Sequence, residues 1–417
     1  MMGGVLFTNV NILDCSGSEP FLGEVLVEGN RITKVNSGPP ALPRDGVQVV
    51  DGAGTACLMP GLIESHSHLS IDDVDDLAKI GIMPPEENTL LAMRIAGNYL
   101  DYGITSCISA AAAKPRLDVV IRNAINAGEI PGPRLLASSP WLTVTGGLGD
   151  MRTLHMPHLE SMAMIADGPD EYRRVTRELI REGVDIIKLV ISGDTFVPHA
   201  PSNATVMSEA EVAAAAEVVH AHGRRMSAHA RSADAVKLCA KYGVKVIYHA
   251  NFLDPEAFDL LEEHRDHLFV SPNIGFTVVA SYEGSAWFSE EQVVELGFRD
   301  ELAGAIEGVK ELRKRGVRIL GGGDYGFSFT PHGKNARDLE HFVKYFNMSP
   351  IEAIQTMTKY GGQAMDMPNE LGMVQEGFLA DLLLIEGNPA ADPKILVEHD
   401  KLLAVLKDGI FHKQPPC

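Results

Sequence analysis

Gly61-Leu62-Ile63-Glu64-Ser65-His66-Ser67-His68-Leu69 is the stretch on which the reading of this chain turns. It follows Pro60 and a run with strand character. Side chains of an extended segment repeat every two residues, so His66 and His68 leave the backbone on the same side and can face one metal ion. Two histidines at i and i+2 are not a site by themselves. Surface or packed imidazoles are the plain alternative, and the rest of the chain has to supply further ligands.

Downstream, from about residue 61 to 360, helical periodicity and apolar strands alternate. Glu87 to Tyr102 is helical and stops at Gly103, before the strand Ile104–Ile108. Asp170 to Glu182 stops at Gly183, before Val184–Ile191. Ser208 with Glu211 three residues later is a capping box, and that helix runs to His222. Then come Arg225–Ala230, a helix from Ser232 to Tyr242, the strand Val244–His249, a helix from Phe298 to Arg315 and the short run Val317–Leu320 before Gly321-Gly322-Gly323-Asp324. Repeated helix–Gly–strand units predict parallel strands with crossover helices. About eight such units suit this length, which predicts an α/β fold of the (β/α)8 TIM-like barrel type. A doubly wound open sheet is the competing arrangement. It calls for a nucleotide loop near a first strand, and neither GxGxxG nor GxxxxGK[ST] occurs.

Upstream and at the far end the grammar is different. Residues 5–12, 24–28, 31–35 and 47–51 read as short strands, with Gly29-Asn30 marking a hairpin turn. Ala380–Ile385 and Leu402–Lys407 read the same way, and Asp408-Gly409 is a hairpin signal. We expect the two ends to combine into one small β-sandwich domain, residues 1–59 with 366–417, around a barrel of residues 60–365.

Composition narrows the function classes. Lys and Arg number 36 against 56 Asp and Glu, a formal charge of −20. No basic excess exists to neutralise phosphates, so we expect no nucleic-acid partner, and anionic membrane surfaces are disfavoured. The five cysteines are scattered, with no CxxC pair, which is ordinary thiol usage in a reducing compartment. No apolar run reaches membrane-spanning length and no secretory signal is visible, so a cytoplasmic enzyme with no membrane association is expected.

Polar residues recur at the predicted strand ends. His66 and His68 end the first strand, Lys188 lies inside an apolar strand, and His229 and His249 end two more. Asp324 follows Ile319-Leu320. A barrel presents its reactive groups at this end of its strands. Each residue has a bland reading alone: a snorkelling lysine, a hydrogen-bonded core histidine, a turn aspartate. Together, four histidines, a lysine and an aspartate at strand ends form a joint pattern, and imidazole and carboxylate are the right ligands for zinc or a related divalent ion. His220 and His222 repeat the spacing, but on a helix end, where i and i+2 do not face one way.

These segments resemble the amidohydrolase superfamily of metal-dependent hydrolases, in its imidazolonepropionase-like and prolidase-like branch. Pro60-Gly61-Leu62-Ile63 with His66-x-His68 matches the opening motif, Ile186-Ile187-Lys188 the carboxylated-lysine segment, and Ala228-His229-Ala230 the third histidine. Tyr248-His249, Gly323-Asp324 and Glu376-Gly377-x-x-Ala380-Asp381-Leu382 are similar to later motifs. The resemblance implies a binuclear centre. His66, His68 and Asp324 would hold one ion, His229 and His249 the other, and Lys188, N-carboxylated, would bridge them. It implies two zinc ions, with manganese or cobalt compatible with the same ligands. It also implies homo-oligomerisation and hydrolysis of an amide-type C–N bond in a dipeptide, N-acyl amino acid, carbamate, urea or related small amide. A metal-bridging hydroxide would attack, with Asp324, Lys188 and His249 as catalytic residues. A deaminase, or a cyclic-amide or ester hydrolase on the same centre, is the rival reading, and a non-catalytic scaffold is disfavoured because all six ligands are present.

Two departures bear on substrate. Leu148 follows Thr145-Gly146-Gly147 where relatives often carry histidine, so either His155 or His158 is expected to contact substrate instead, or the acyl pocket is more apolar. Arg231, just past a ligand strand, is expected to meet a substrate carboxylate or carbonyl, with Tyr248 and Trp141 as further contacts.

Overall fold

The computed structural model describes residues 4–39 and 41–416. Two parallel sheets form the centre. One runs Leu62–Ser67, Ile104–Ser109, Arg134–Leu136. The other runs Ala163–Ile165, Ser138–Thr143, Ile186–Val190, Arg225–Ser232, Val246–Phe252, Phe269–Ser271. Helices lie between successive strands, including Pro85–Asp101, Pro169–Glu182, Glu209–Ala221, Ala233–Lys241 and Phe298–Lys314. The Ser208 capping box forms in both directions. The glycine stops act as anticipated: Gly183 and Gly316 take φ of +99° and +77°, a conformation glycine adopts without a Cβ clash.

The expected strand at Val317–Leu320 is present only as a bridge, Val270 opposite Ile319. Its backbone is nevertheless bonded on both sides. Leu320 N–H donates to Val270 O (2.9 Å), and Ser65 N–H donates to Gly321 O (3.3 Å). Gly321-Gly322-Gly323 has no side chains to stack on neighbouring strands, and a strand ladder weakens there.

Inside the strands, Ile108, Ile186, Val246, Tyr248, Phe269 and Leu320 pack into one buried cluster. Ile186 precedes Lys188 by two residues and so shares its face. Outside, a larger apolar cluster joins strands to helices through residues such as Ile187, Leu189, Val219 and Val309.

The chain ends meet in one eight-stranded sheet. Its path is Ile410–Lys413, Leu402–Lys407, Leu382–Glu386, Ala56–Pro60, Val5–Ile12, Phe21–Glu28, Arg31–Asn36, with Gln48–Asp51 also paired to Val5–Ile12. The eight strands join in one hydrogen-bonded sheet whose Val5–Ile12 strand divides between two partners. At Asn9 (φ +50°) the strand Val5–Ile12 bends. Its first half pairs with Gln48–Asp51, and its second half with Cys57 and Leu58. Phe7, Val25, Leu58, Leu384, Leu406 and Phe378 fill the apolar side of this sheet.

The handover from this sheet to the central strands is Gly61. Its N–H donates to Asp381 O at 2.9 Å, and a Cβ there would run into the Thr105 side chain. Arg134 adds a tie between the two regions, pairing with Asp381 (3.2 Å) and Asp408 (2.7 Å). Among the described residues, no helix is long and apolar enough to cross a membrane.

Candidate metal centre

Alternation along Leu62–Ser67 puts Glu64, His66 and His68 on one face, turned inward. All three are buried. The Asp324 carboxylate meets them from the glycine-rich turn, with Oδ1 3.1 Å from His68 Nε2 and 3.6 Å from His66 Nε2. His66, His249 and Asp324 bring one ligand atom each within 4.8 Å of one another. The His229 and His249 rings lie 4.5 Å apart, and those of His66 and His249 5.6 Å apart. Lys188 is 1 % exposed, its Nζ 3.8 Å from the centre of the Tyr248 ring. The structure thus gathers the sequence-nominated ligands into one buried cluster.

Tyr248 and His249 are neighbours in a strand and should point to opposite sides. His249 escapes that rule with φ of +75°, and both rings reach His66, Tyr248 at a centroid distance of 4.1 Å. Asp324 (φ +63°) and Asn273 (φ +52°) share this left-handed backbone. Side chains with a Cβ disfavour it, and such strain persists where surrounding contacts over-determine it. Here Asn273 Oδ1 accepts from His249 N–H (3.0 Å), while Asn273 Nδ2 donates to Gly322 O.

Electrostatics suit metal ligation. Burial pushes His66 and His249 well below the usual imidazole range, and burial with the Arg231 charge takes His229 down to about 4. Neutral imidazole is the form that binds metal. Burial also drives Lys188 far down, against the pull of Asp324. For Asp324, burial alone would raise the carboxyl, but His66, His68 and Lys188 outweigh it and keep it ionised. The Nδ1 atoms of His66 and His68 are buried without a hydrogen-bond partner. A buried polar cluster left partly unsatisfied is costly unless another group completes it. The donor set, imidazole and carboxylate around a neutral amine, fits a divalent cation.

Of the nominated substrate contacts, Trp141 and Tyr248 border the cluster, with the Trp141 ring 6.5 Å from that of His68. His155 and His158 are exposed, and His155 Nδ1 is hydrogen-bonded to Thr153 Oγ1 (3.1 Å). Arg231 is 3 % exposed and already engaged. It donates to Asp194 Oδ2 (3.1 Å), Asn251 Oδ1 (3.1 Å) and Glu301 Oε2 (2.7 Å). Asp194 Oδ2 in turn lies 3.6 Å from His229 Nε2.

Sequence reasoning missed Glu64, Asp194, Asn273, Glu301 and Asp338. Glu64 had a visible signal, since it shares the parity of His66 and His68. The others come from loops and helices distant in sequence. From sequence, Phe196, Phe276 and Phe327 are candidates for pocket lining or for loop packing. In the fold, Phe196, Phe276, Phe288, Phe298, Phe327 and Phe329 form one aromatic cluster, with neighbouring ring centroids 4.9–6.4 Å apart. Phe276 N–H donates to Gly323 O (3.1 Å), which sets this cluster beside the Asp324 turn.

The sequence matches the amidohydrolase family over residues 57–410. It is 27 % identical to ochratoxinase from Aspergillus niger across 95 % of this chain and 84 % of that protein. It is 25 % identical to an imidazolonepropionase from Rubrobacter xylanophilus across 92 % of this chain and 89 % of that protein. A crystal structure of a prolidase complexed with N-methylphosphonate-L-proline superposes with a TM-score of 0.86 at 25 % identity, covering 99 % of this chain and all of that one. The chain belongs to the amidohydrolase family and is a metal-dependent hydrolase of amide-type carbon–nitrogen bonds.

Proposed function

We propose that the protein cleaves an amide bond in a small substrate such as a dipeptide or N-acyl amino acid, on a binuclear centre at one end of a (β/α)8 barrel. The barrel reading is supported by the bonds that Leu320 and Ser65 make across the 317–321 segment, and by Ala112 N–H donating to Ser139 O (3.1 Å) at the other seam. Its limits would be residues 60–365, with 1–59 and 366–417 as the appended β domain.

The observation that carries the reading is Lys188. A buried ammonium is strongly disfavoured, and burial among four histidines and Asp324 drives this amine toward its neutral form. A neutral amine is the form that adds carbon dioxide. The product is an anion, so N-carboxylation of Lys188 turns a burial problem into a ligand. His66, His68 and Asp324 would hold one ion and His229 and His249 the other, with Lys188, once carboxylated, as the remaining ligand. Zinc is the metal the donor set favours. When bound, the ions supply Lewis acidity and lower the pKa of water.

Asp324 is the proton carrier. It is ionised and 13 % exposed, so it can take a proton from the attacking water and return it to the departing nitrogen. Trp141, Tyr248 and the phenylalanine cluster favour a substrate with an apolar group. Arg231, held by two carboxylates, is assigned to keeping Asp194 beside His229. Zinc-loaded protein should release an amine from N-acetyl amino acids or dipeptides, read by product identification. Ammonia as the sole product, or full turnover after complete metal removal, would overturn the assignment.

A further inference from the structure

We propose that Asp338 is a positioning residue for the metal ligands, bracing from behind the turn that presents Asp324 to His66 and His68. It rests on the metal-centre reading above.

Asp338 lies in the helix Arg337–Phe346 and is fully buried. Its carboxylate spans the turn that carries Asp324. Gly322 N–H donates to Asp338 Oδ2 at 2.8 Å, and the Tyr325 hydroxyl donates to Oδ1 at 3.2 Å. Those two donors flank Asp324 in sequence. Gly322 is therefore held through both adjoining peptides, its N–H by Asp338 and its C=O by Asn273. No Cβ fits at Gly322, where it would come 2.8 Å from His66 N and 2.9 Å from Glu64 Oε1. The turn thus lies flat against the strand carrying His66 and His68.

The same segment braces that strand. Asn335, three residues before Asp338, donates to Glu64 Oε2 (3.0 Å), and Glu64 Oε1 accepts from His66 N–H (3.1 Å). Residues 335 and 338 thereby tie together the strand that presents His66 and the turn that presents Asp324. The left-handed φ of Asp324 is unfavourable for a residue with a Cβ, and without Asp338 the turn is free to relax. Relaxation swings the Asp324 carboxylate away from His66 and His68. Partners that orient metal ligands in this way typically contribute about 10–100-fold to metal affinity or activity.

The test uses the full chain loaded with zinc and dialysed against a graded series of dipicolinate, with retained zinc measured by mass spectrometry. Asp338→Ala should lose zinc at about 10–100-fold lower chelator concentration than wild type. Its kcat should fall on a substrate the wild type cleaves, while KM and far-UV circular dichroism hold. Asp338→Asn should recover most of the zinc retention, because its carbonyl still accepts from Gly322 N–H. Wild-type zinc retention in Asp338→Ala overturns the proposal, as does a loss of stability and activity with no change in retention. An Asp338→Asn variant as impaired as the alanine also overturns it. If Asp338→Ala does not fold, Tyr325→Phe decides: weakened retention supports the proposal and unchanged retention overturns it. A wild type that takes up no zinc fails the metal-centre reading itself.

Discussion

Two buried polar clusters lie side by side and are built on opposite principles. Around Arg231 the charged groups are partnered within the protein: one guanidinium faces Asp194 and Glu301, and Asn251, Thr195 and Ser202 add hydrogen bonds. Around Lys188 burial disfavours the charged forms of the lysine, His66, His229 and His249, the Nδ1 atoms of His66 and His68 lack partners, and the Asp324 carboxylate serves both of those histidines. The first cluster is complete without a ligand. The second is assembled for something the polypeptide does not supply. Burial is common to both, so burial does not identify a site; the convergence of imidazole and carboxylate donors does.

The largest test of that contrast is Lys188→Ala. It should abolish occupancy of the shared metal position and lower kcat/KM on the order of 10⁴-fold, about 5 kcal/mol of transition-state stabilisation. Metal content and amine release, measured on one preparation, check it. The folded state should survive, because the change removes an awkward buried amine.

Arg231→Met attacks the complete cluster and should behave in the opposite way. It leaves Asp194 and Glu301 buried without their cation, and stability should fall by about 3–5 kcal/mol in urea unfolding at fixed metal. A variant as stable as wild type would erase the distinction drawn between the clusters.

Metal removal probes the incomplete cluster without mutation. Ligand bound only by the folded state stabilises it by about 2.7 kcal/mol when free metal is 100-fold above its Kd. Chelated protein should therefore unfold at lower urea, and readdition of zinc should restore the midpoint. The Arg231→Met variant should respond to zinc in the same direction, since its metal ligands remain.

An exposed ion pair sets the baseline. Lys79 and Asp75 lie 2.6 Å apart with most of both side chains in solvent. Screening and side-chain entropy cancel most of the attraction. Lys79→Ala should leave the unfolding midpoint unchanged within error.

Much of this was legible from residues alone. His66, His68, Lys188, His229, His249 and Asp324 each sit where a predicted strand ends or where a charge interrupts an apolar run, so parity and periodicity expose them. Val317–Leu320 was read as a strand and makes only a bridge, because the glycines after it contribute nothing to a ladder. Arg231 was read as facing substrate. Local sequence contains no hint of Glu301, seventy positions later, which claims its guanidinium. The division of Val5–Ile12 between two partner strands was hidden for a similar reason: it turns at a left-handed residue, Asn9, and strand periodicity does not record that.

By itself, then, the sequence determined the parallel strand–helix order, the meeting of both chain ends and the identity of the metal-ligand candidates. Those depend on side-chain period, glycine stops and ligand chemistry, which are local properties. Only the tertiary structure decided which buried charges are already satisfied. It turned His249 and Asp324 through left-handed backbone toward His66, and placed Asp338 behind them. Such choices depend on contacts between residues far apart in the chain, and no local pattern carries them.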